Sequence, residues 1–204
     1  PMEFIPLLEE TGLIIPAGRF ILKEAAKMCC EILQFIPDFQ MNINVSYVQI
    51  TQGSVEDDII EVIKKYALDP ASICIEMTES GFIDMTIPFI RFRHKLESNR
   101  IHFVIDDFGT GYSNLHCISD MNPDYIKIDR DFTAKAMDGQ RDYELFKNII
   151  TMIHSVNARI CVEGIEQREW CQKMKKMGAD LLQGYFYGKP CKKSDFITNY
   201  VRGN

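Results

Sequence analysis

The chain has 204 residues, of which 46% are hydrophobic and 25% charged, a composition typical of a globular protein with one core. Its net charge of −6 and pI of about 5.3 exclude the broad basic surface that nucleic-acid-binding proteins use to hold phosphates. An anionic ligand would therefore have to be met by local cations or by metal ions.

Six short, strand-like runs alternate with longer segments of helical periodicity. The predicted strands are Met41 to Ser46, Ile73 to Thr78, Ile101 to Asp106, Tyr125 to Asp129, Arg159 to Glu163 and Leu181 to Tyr187. Most are apolar throughout, as expected for strands covered on both faces. The alternation predicts an α/β fold with a parallel sheet, either open and doubly wound or closed as a (β/α)8 barrel. A barrel needs two further strands, and the residues before Met41 look helical.

Several helix boundaries are also marked in the sequence. Ser54, with Asp57 three residues later, predicts a variant of the capping box. Gly178 directly follows a lysine-rich helical segment, which is typical of a helix C-terminus. The residues MDGQRD, 137 to 142, predict a break within the long helical segment after Asp129.

The cysteines indicate the compartment. All seven are scattered, their number is odd, and no two form a CxxC pair. This usage predicts reduced thiols and a cytoplasmic domain. No apolar run approaches membrane-spanning length, and no signal-peptide pattern occurs, so no membrane contact by this domain is expected. A membrane tether elsewhere in a longer parent protein is compatible with this prediction.

Polar side chains stand at the carboxyl end of every predicted strand. In parallel α/β folds these ends meet at one edge, where active sites are assembled. A polar residue after a single strand is usually a helix cap or a turn residue, but six strands in succession are harder to explain in that way. The residues are Asn44, Glu76, Asp106 with Asp107, Lys127 with Asp129, Glu163 and Gln183.

This set offers oxygen ligands almost exclusively, without His or Cys, which suits Mg²⁺, Mn²⁺ or Ca²⁺ better than zinc. Adjacent Asp106 and Asp107 would suit two ions ~3.5–4 Å apart, of the kind that cleaves phosphate esters. Lys127 would then stabilise developing charge. As an alternative, Lys127 is the Schiff-base lysine of a barrel aldolase, although nearby carboxylates would hold it protonated. Neither a GxGxxG nor a GxxxxGK[ST] phosphate loop is present.

The chain resembles the EAL-domain family, the phosphodiesterases of the bacterial second messenger cyclic di-GMP. The resemblance rests on motifs that occur in the family's order over nearly the whole chain: PMEFIPLLEETGLI, NINVS, IEMTES, DDFGTGYSNL, DYIKID, VEGIE and QGYFYGKP. It implies a (β/α)8 TIM-type barrel whose first strand is antiparallel. It also implies hydrolysis of cyclic di-GMP to linear pGpG with two Mg²⁺ or Mn²⁺ ions.

The resemblance also implies roles for individual residues. The implied metal ligands are Asn44, Glu76, Asp106 and Asp107. Lys127 corresponds to the family's lysine that contacts the attacking water or the second metal site. Glu163 and Gln183 match polar residues that position water and phosphate at the metals.

Two glutamates outside this set have implied roles of their own. Glu79 corresponds to the anchor of the loop after Asp107, a loop linked in the family to control of activity through the dimer. Glu166 is implied to reach the nucleotide. Cyclic di-GMP, a second copy of the chain, and a fused sensory or GGDEF domain in the parent protein are the implied partners. No DNA or RNA duplex is expected as a partner.

The chain departs from the family pattern at its start. The Glu-Ala-Leu strand that names the family, and the strand before it, do not occur in these 204 residues. Residues 1–204 are therefore expected to form one EAL-type domain, incomplete at its N-terminus, that alone would hydrolyse little substrate. The alternative function is a catalytically inactive receptor for cyclic di-GMP, or a protein-interaction module.

Overall fold

The computed structural model describes residues 3–78, 86–110, 118 and 120–201. The chain divides into two compact units. The first unit comprises Pro1–Met77, Gly81–Phe103 and Cys191–Asn204. The second comprises Thr78–Ser80 and Val104–Pro190.

The first unit combines two parallel strands with most of the N-terminal helices. Its elements are α1 (Ile5–Glu10), α2 (Ile14–Leu33), β1 (Met41–Asn44), α3 (Tyr47–Gln52), α4 (Val55–Lys65), a 3-10 turn (Pro70–Ser72), β2 (Ile73–Thr78, whose last residue falls in the second unit), α5 (Ile87–Ser98), α9 (Lys193–Phe196) and a π-helical turn (Ile197–Val201). β1 pairs with β2 from Met41↔Ile73 to Asn44↔Glu76. The paired strands therefore end together, at two of the predicted site residues.

Apolar spacing determines how the helices of this unit pack. α2 buries Leu22, Ala26 and Cys29, which recur at three- and four-residue intervals and so share one face of the helix. Ile197 and Val201, near the C-terminus, pack against the same helix at Ile32. The N-terminal and C-terminal segments of the chain therefore share one apolar cluster.

The second unit has four parallel strands in chain order. Its elements are β3 (His102–Phe108, which begins at the unit boundary), β4 (Tyr125–Ile128), α6 (Arg130–Asp138), α7 (Gln140–Ser155), β5 (Arg159–Val162), α8 (Arg168–Met177) and β6 (Leu181–Leu182). β4 pairs with β3 and with β5, and β5 pairs with β6, all in parallel. β4 is buried at all four of its positions. A strand covered on both faces explains why its sequence is apolar apart from Lys127.

Six strands are present in the described residues, as the sequence predicts, and five match their predicted bounds closely. The sixth prediction, Leu181 to Tyr187, is wrong because β6 ends at Leu182. The backbone turns at Gly184, whose carbonyl accepts from the Tyr187 N–H at 3.0 Å. A Cβ at Gly184 would lie 2.1 Å from the Ile165 carbonyl oxygen, so only glycine permits this close approach.

The predicted helix boundaries have mixed outcomes. α6 and α7 are separated at Gly139, and α8 ends at Gly178 in the left-handed conformation (φ 102°), both as predicted. Ser54 does precede α4, but its side chain makes no capping bond because its ψ of 50° is far from the extended value that capping needs. The capping box lies instead at Ser46 and Gln49, where ψ of Ser46 is 147°.

The cysteines of the described residues agree with the prediction of reduced thiols. Six of the seven cysteines lie in this part of the chain and all are reduced; Cys117 lies outside it. No described helix has both the length and the apolar character needed to cross a membrane.

One prediction concerns Asp180, whose Oδ2 accepts hydrogen bonds from the Ile160 backbone N–H and from His154 Nε2, each at 2.8 Å. Burial alone would raise the pKa of this carboxyl, but the two hydrogen bonds outweigh it and the pKa is lowered. A lowered pKa means that Asp180 stabilises the fold above its unfolded pKa of about 3.9 and that this contribution is lost as the pH falls through the folded pKa. We expect Asp180→Asn to reduce the free energy of unfolding at pH 7 by about 1 kcal/mol.

Thermal unfolding of both proteins from pH 8 to pH 3 measures this difference, which should persist to about pH 4 and then shrink. Glu31→Gln is the control, because the Glu31–Lys193 pair is an exposed ion pair (2.8 Å) that is expected to contribute little. An Asp180→Asn protein as stable as the original chain at pH 7 would contradict this account.

Candidate active site

The two adjacent aspartates lie in a β-bulge of β3. Val104 and Ile105 pair with Tyr125 and Ile126, but Phe108 pairs with Ile128, so two residues of β3 stand opposite the single residue Lys127. Asp107 adopts the left-handed conformation, with φ of 55°. Successive side chains of a regular strand point to opposite faces, whereas a bulge with one left-handed residue changes this alternation. The bulge therefore allows Asp106 and Asp107 to serve one site.

The two aspartates, Glu163 and Lys127 form a compact cluster within the second unit. Lys127 Nζ lies 3.1 Å from Asp106 Oδ1 and 2.8 Å from Glu163 Oε1. Asp106, Asp107 and Glu163 each contribute one carboxylate oxygen to a group whose members all lie within 4.8 Å of one another. Lys127 is only 6% exposed. With all four groups ionised, the cluster carries a charge of −2.

Two members of the cluster have raised pKa values, and burial is the largest cause of both shifts. Burial, reinforced by Asp106 and Asp129, raises the pKa of the Asp107 carboxyl, and Lys127 only partly opposes the shift. Burial also raises the pKa of Glu163; Lys127 lowers it, while Asp106 and Asp107 raise it further. The site therefore holds carboxylates that Lys127 alone does not neutralise.

These donors fit divalent cations. Three carboxylates with close oxygens, largely withdrawn from water, are the ligands that Mg²⁺ and Mn²⁺ prefer in proteins. A divalent ion would also offset the negative charge of these partly buried carboxylates. The chemistry of the donor set thus agrees with the metal site predicted from the sequence.

Backbone bonds at the end of β5 place Glu163 and its neighbours. The Glu163 N–H donates to the Ile128 carbonyl at 3.0 Å, extending the pairing of β4 and β5 by one residue. Gly164 follows with φ of 75°, and a Cβ there would lie 2.5 Å from Cβ of Arg130. Glycine at 164 is therefore required for the chain to turn away directly after the glutamate.

The first unit holds a second polar group where β1 and β2 end. Asn44 stands opposite Glu76 in the parallel register. Glu76 is only 3% exposed and accepts a hydrogen bond of 2.6 Å from Asn42 Nδ2. Because side chains at i and i+2 share a face, Asn42, Asn44 and Glu76 lie on the same side of this strand pair.

Residues 1–190 match the family described as the EAL domain. The chain belongs to the EAL-domain family. It is 31% identical over 202 residues to the cyclic di-GMP phosphodiesterase PdeL of Escherichia coli (strain K12), a match that covers 98% of this chain and 56% of that protein. The chain thus spans about half the length of this curated relative.

Solved EAL structures share the fold. The cAMP-bound form of the EAL enzyme Bd1971 matches with a TM-score of 0.91 and 30% identity, over 98% of this chain and 56% of that one. The MucR phosphodiesterase in complex with cyclic di-GMP matches with a TM-score of 0.87 and 27% identity, over 96% and 80% of the two chains. The predicted α/β fold is confirmed as the EAL fold, and its six parallel strands agree with a TIM-type barrel of which this chain contains part.

The EAL site residues predicted from the sequence have different outcomes. Asp106, Asp107, Lys127 and Glu163 come together in the second unit, and Asn44 and Glu76 are neighbours in the first. Gln183 is exposed just after β6, and Glu166 is exposed in the loop after β5. Glu79 lies outside the described residues.

Three features of the polar groups in the two units are not explicit in the sequence. The bulge depends on how β3 pairs with β4, although two adjacent acids at the end of an apolar run hint at it. Asp129 caps α6 by accepting from the Asp131 N–H at 2.8 Å, and its charge also acts on Asp107. Asn42 contacts Glu76, and its position two residues before Asn44 is the signal that could have identified it.

Proposed function

We propose that the natural protein carrying this EAL domain hydrolyses cyclic di-GMP to linear pGpG. The observation that carries the proposal is the cluster built on the β3 bulge, in which three carboxylates lie close together and a buried lysine contacts two of them. Membership of the family and the names of its relatives support the substrate: PdeL is a cyclic di-GMP phosphodiesterase, and the MucR phosphodiesterase was solved with cyclic di-GMP.

The proposed cofactor is a pair of Mg²⁺ or Mn²⁺ ions, with Asn44, Glu76, Asp106 and Asp107 as protein ligands. When bound, such ions polarise a phosphoryl oxygen and make water a better nucleophile. Charge supports this assignment as well. The substrate's phosphates are anionic, and the cluster and the whole chain are both negative, so cations must intervene before the substrate can approach Asp106 and Asp107.

The chain's own residues then have separate tasks. Lys127 holds the Asp106 and Glu163 carboxylates through its two short contacts and places a fixed positive charge where the phosphate develops negative charge. Glu163 is proposed to accept a hydrogen bond from the attacking water and so to orient it. Gln183 and Glu166 are proposed to contact phosphate and nucleotide, and Glu79 to anchor the loop after β3.

The assembly around this domain is also a proposal. We infer a homodimer and a fused sensory or GGDEF domain in a cytoplasmic or membrane-tethered parent protein. Residues 1–204 are proposed to belong to one EAL-type domain, and the glutamate of the family's Glu-Ala-Leu strand is proposed to add a ligand to the metals. The curated relatives PdeL and MucR are longer proteins, and this chain covers 56% and 29% of them, respectively.

The proposal predicts a metal-dependent product. Purified natural protein, incubated with cyclic di-GMP and Mg²⁺ or Mn²⁺, should convert it to pGpG as measured by chromatography. Chelation should stop the reaction, and renewed addition of the metal should restore it. Cyclic di-GMP that stays intact with both metals would overturn the proposal; calorimetric binding without turnover would instead support the inactive receptor.

A further inference from the structure

We propose that Asn42 is a positioning residue that orients the Glu76 carboxylate for metal binding. The inference rests on the proposed function, because it takes Glu76 to be a metal ligand. The observation behind it is the hydrogen bond of 2.6 Å that Asn42 Nδ2 donates to Glu76 Oε1. No sequence motif or relative's name assigns a role to Asn42.

The strand register makes this contact diagonal. Asn42 pairs with Cys74, and Asn44 pairs with Glu76. The Asn42 amide therefore contacts the residue two positions beyond its own partner on β2. Ile43, the residue between the two asparagines, is buried, whereas both asparagines are exposed. Asn42 can therefore reach Glu76 from the side of the strand pair on which Asn44 lies.

The chemistry of the contact suits a supporting role. The donor–acceptor distance of 2.6 Å is short for an amide, as is typical of hydrogen bonds to carboxylates. The bond fixes the position of Oε1 and thereby the orientation of the carboxylate. The donor is a neutral amide, so this bond orients the carboxylate without adding a positive charge. Groups that orient a ligand in this way typically change metal affinity by about 10–100-fold when removed.

The experiment compares Asn42→Leu and Asn42→Gln in the natural protein. Leucine has a similar volume but no donor, whereas glutamine keeps an amide on a longer side chain. We expect Asn42→Leu to weaken Mn²⁺ binding, measured by calorimetry without substrate, by about 10–100-fold, and Asn42→Gln to recover part of that loss. The Mn²⁺ concentration for half-maximal hydrolysis should rise in parallel.

Gln40→Leu is the matched control, because Gln40 Nε2 donates to the Ala71 carbonyl (3.2 Å) at the opposite end of the same strand pair. If Asn42 is purely structural, the Asn42→Leu substitution should lower the melting temperature of the metal-free protein without changing its Mn²⁺ affinity. That result would overturn this inference but not the proposed function. Equal Mn²⁺ affinity in Asn42→Leu and in an active natural protein would do the same. A natural protein that binds no Mn²⁺ would overturn the proposed function as well.

Discussion

Replacing Lys127 by methionine should reduce hydrolysis of cyclic di-GMP by about 10²–10³-fold, the usual effect of removing one preorganised electrostatic group. The same change should lower the free energy of unfolding of the metal-free protein by about 3–5 kcal/mol, because it leaves Asp106 and Glu163 without their buried cation. Saturating Mn²⁺ should return part of this stability, since the metal takes over the neutralisation of the carboxylates. Urea unfolding with and without Mn²⁺, beside a kinetic assay, measures all three effects.

Lys135→Met is the matched control for Lys127→Met. Lys135 is exposed in the last turn of α6, so its removal should change stability by a few tenths of a kcal/mol and leave turnover unchanged. A Lys127→Met protein that matches this control in stability and rate would show that the lysine does not hold the cluster together.

Replacing Asp107 by asparagine should have opposite effects on activity and stability. Activity should fall by about 10³-fold, since a lost metal ligand costs several kcal/mol of transition-state stabilisation. The melting temperature of the metal-free protein should rise at pH 7. Burial, Asp106 and Asp129 raise the pKa of Asp107, so ionisation of this carboxyl is less favourable in the folded chain than in the unfolded chain. Asparagine removes that charge and tolerates the left-handed backbone.

The Asp107→Ala variant separates the effect of removing the charge from the effect of the left-handed backbone conformation. Alanine also removes the charge but is disfavoured at φ of 55°, so it should be about 1 kcal/mol less stable than asparagine at this position. Calorimetric melting of the three proteins in a chelating buffer gives the comparison. If Asp107→Asn melts below the original protein, the carboxylates are not in excess in the metal-free site.

Much of the fold could be predicted because its cause is local. Runs that are apolar on both faces identify buried parallel strands. Gly139 and Gly178 mark helix boundaries through their local backbone preference, which does not depend on the rest of the fold. β6 was predicted too long because Tyr185 and Phe186 look like strand residues. What ends the strand is the contact of Gly184 with Ile165, which only the folded chain shows.

The sequence was sufficient to predict which residues form the site but not how their side chains are arranged. Parallel strands bring their carboxyl ends to one edge, so Asp106, Lys127 and Glu163 could be expected to meet. The bulge that allows Asp107 to join them arises from the register of β3 against β4, which is a non-local property. The contact between Asn42 and Glu76 likewise depends on pairing between strands that are 34 residues apart in the chain.

Metal binding at the two aspartates can be tested in a crystal of the natural protein grown with Mn²⁺ and cyclic di-GMP, with diffraction data collected at the manganese absorption edge. We expect anomalous density within bonding distance of the Asp106 and Asp107 carboxylates, beside Glu163 and Lys127. Bound cyclic di-GMP with no anomalous density at these carboxylates would contradict it.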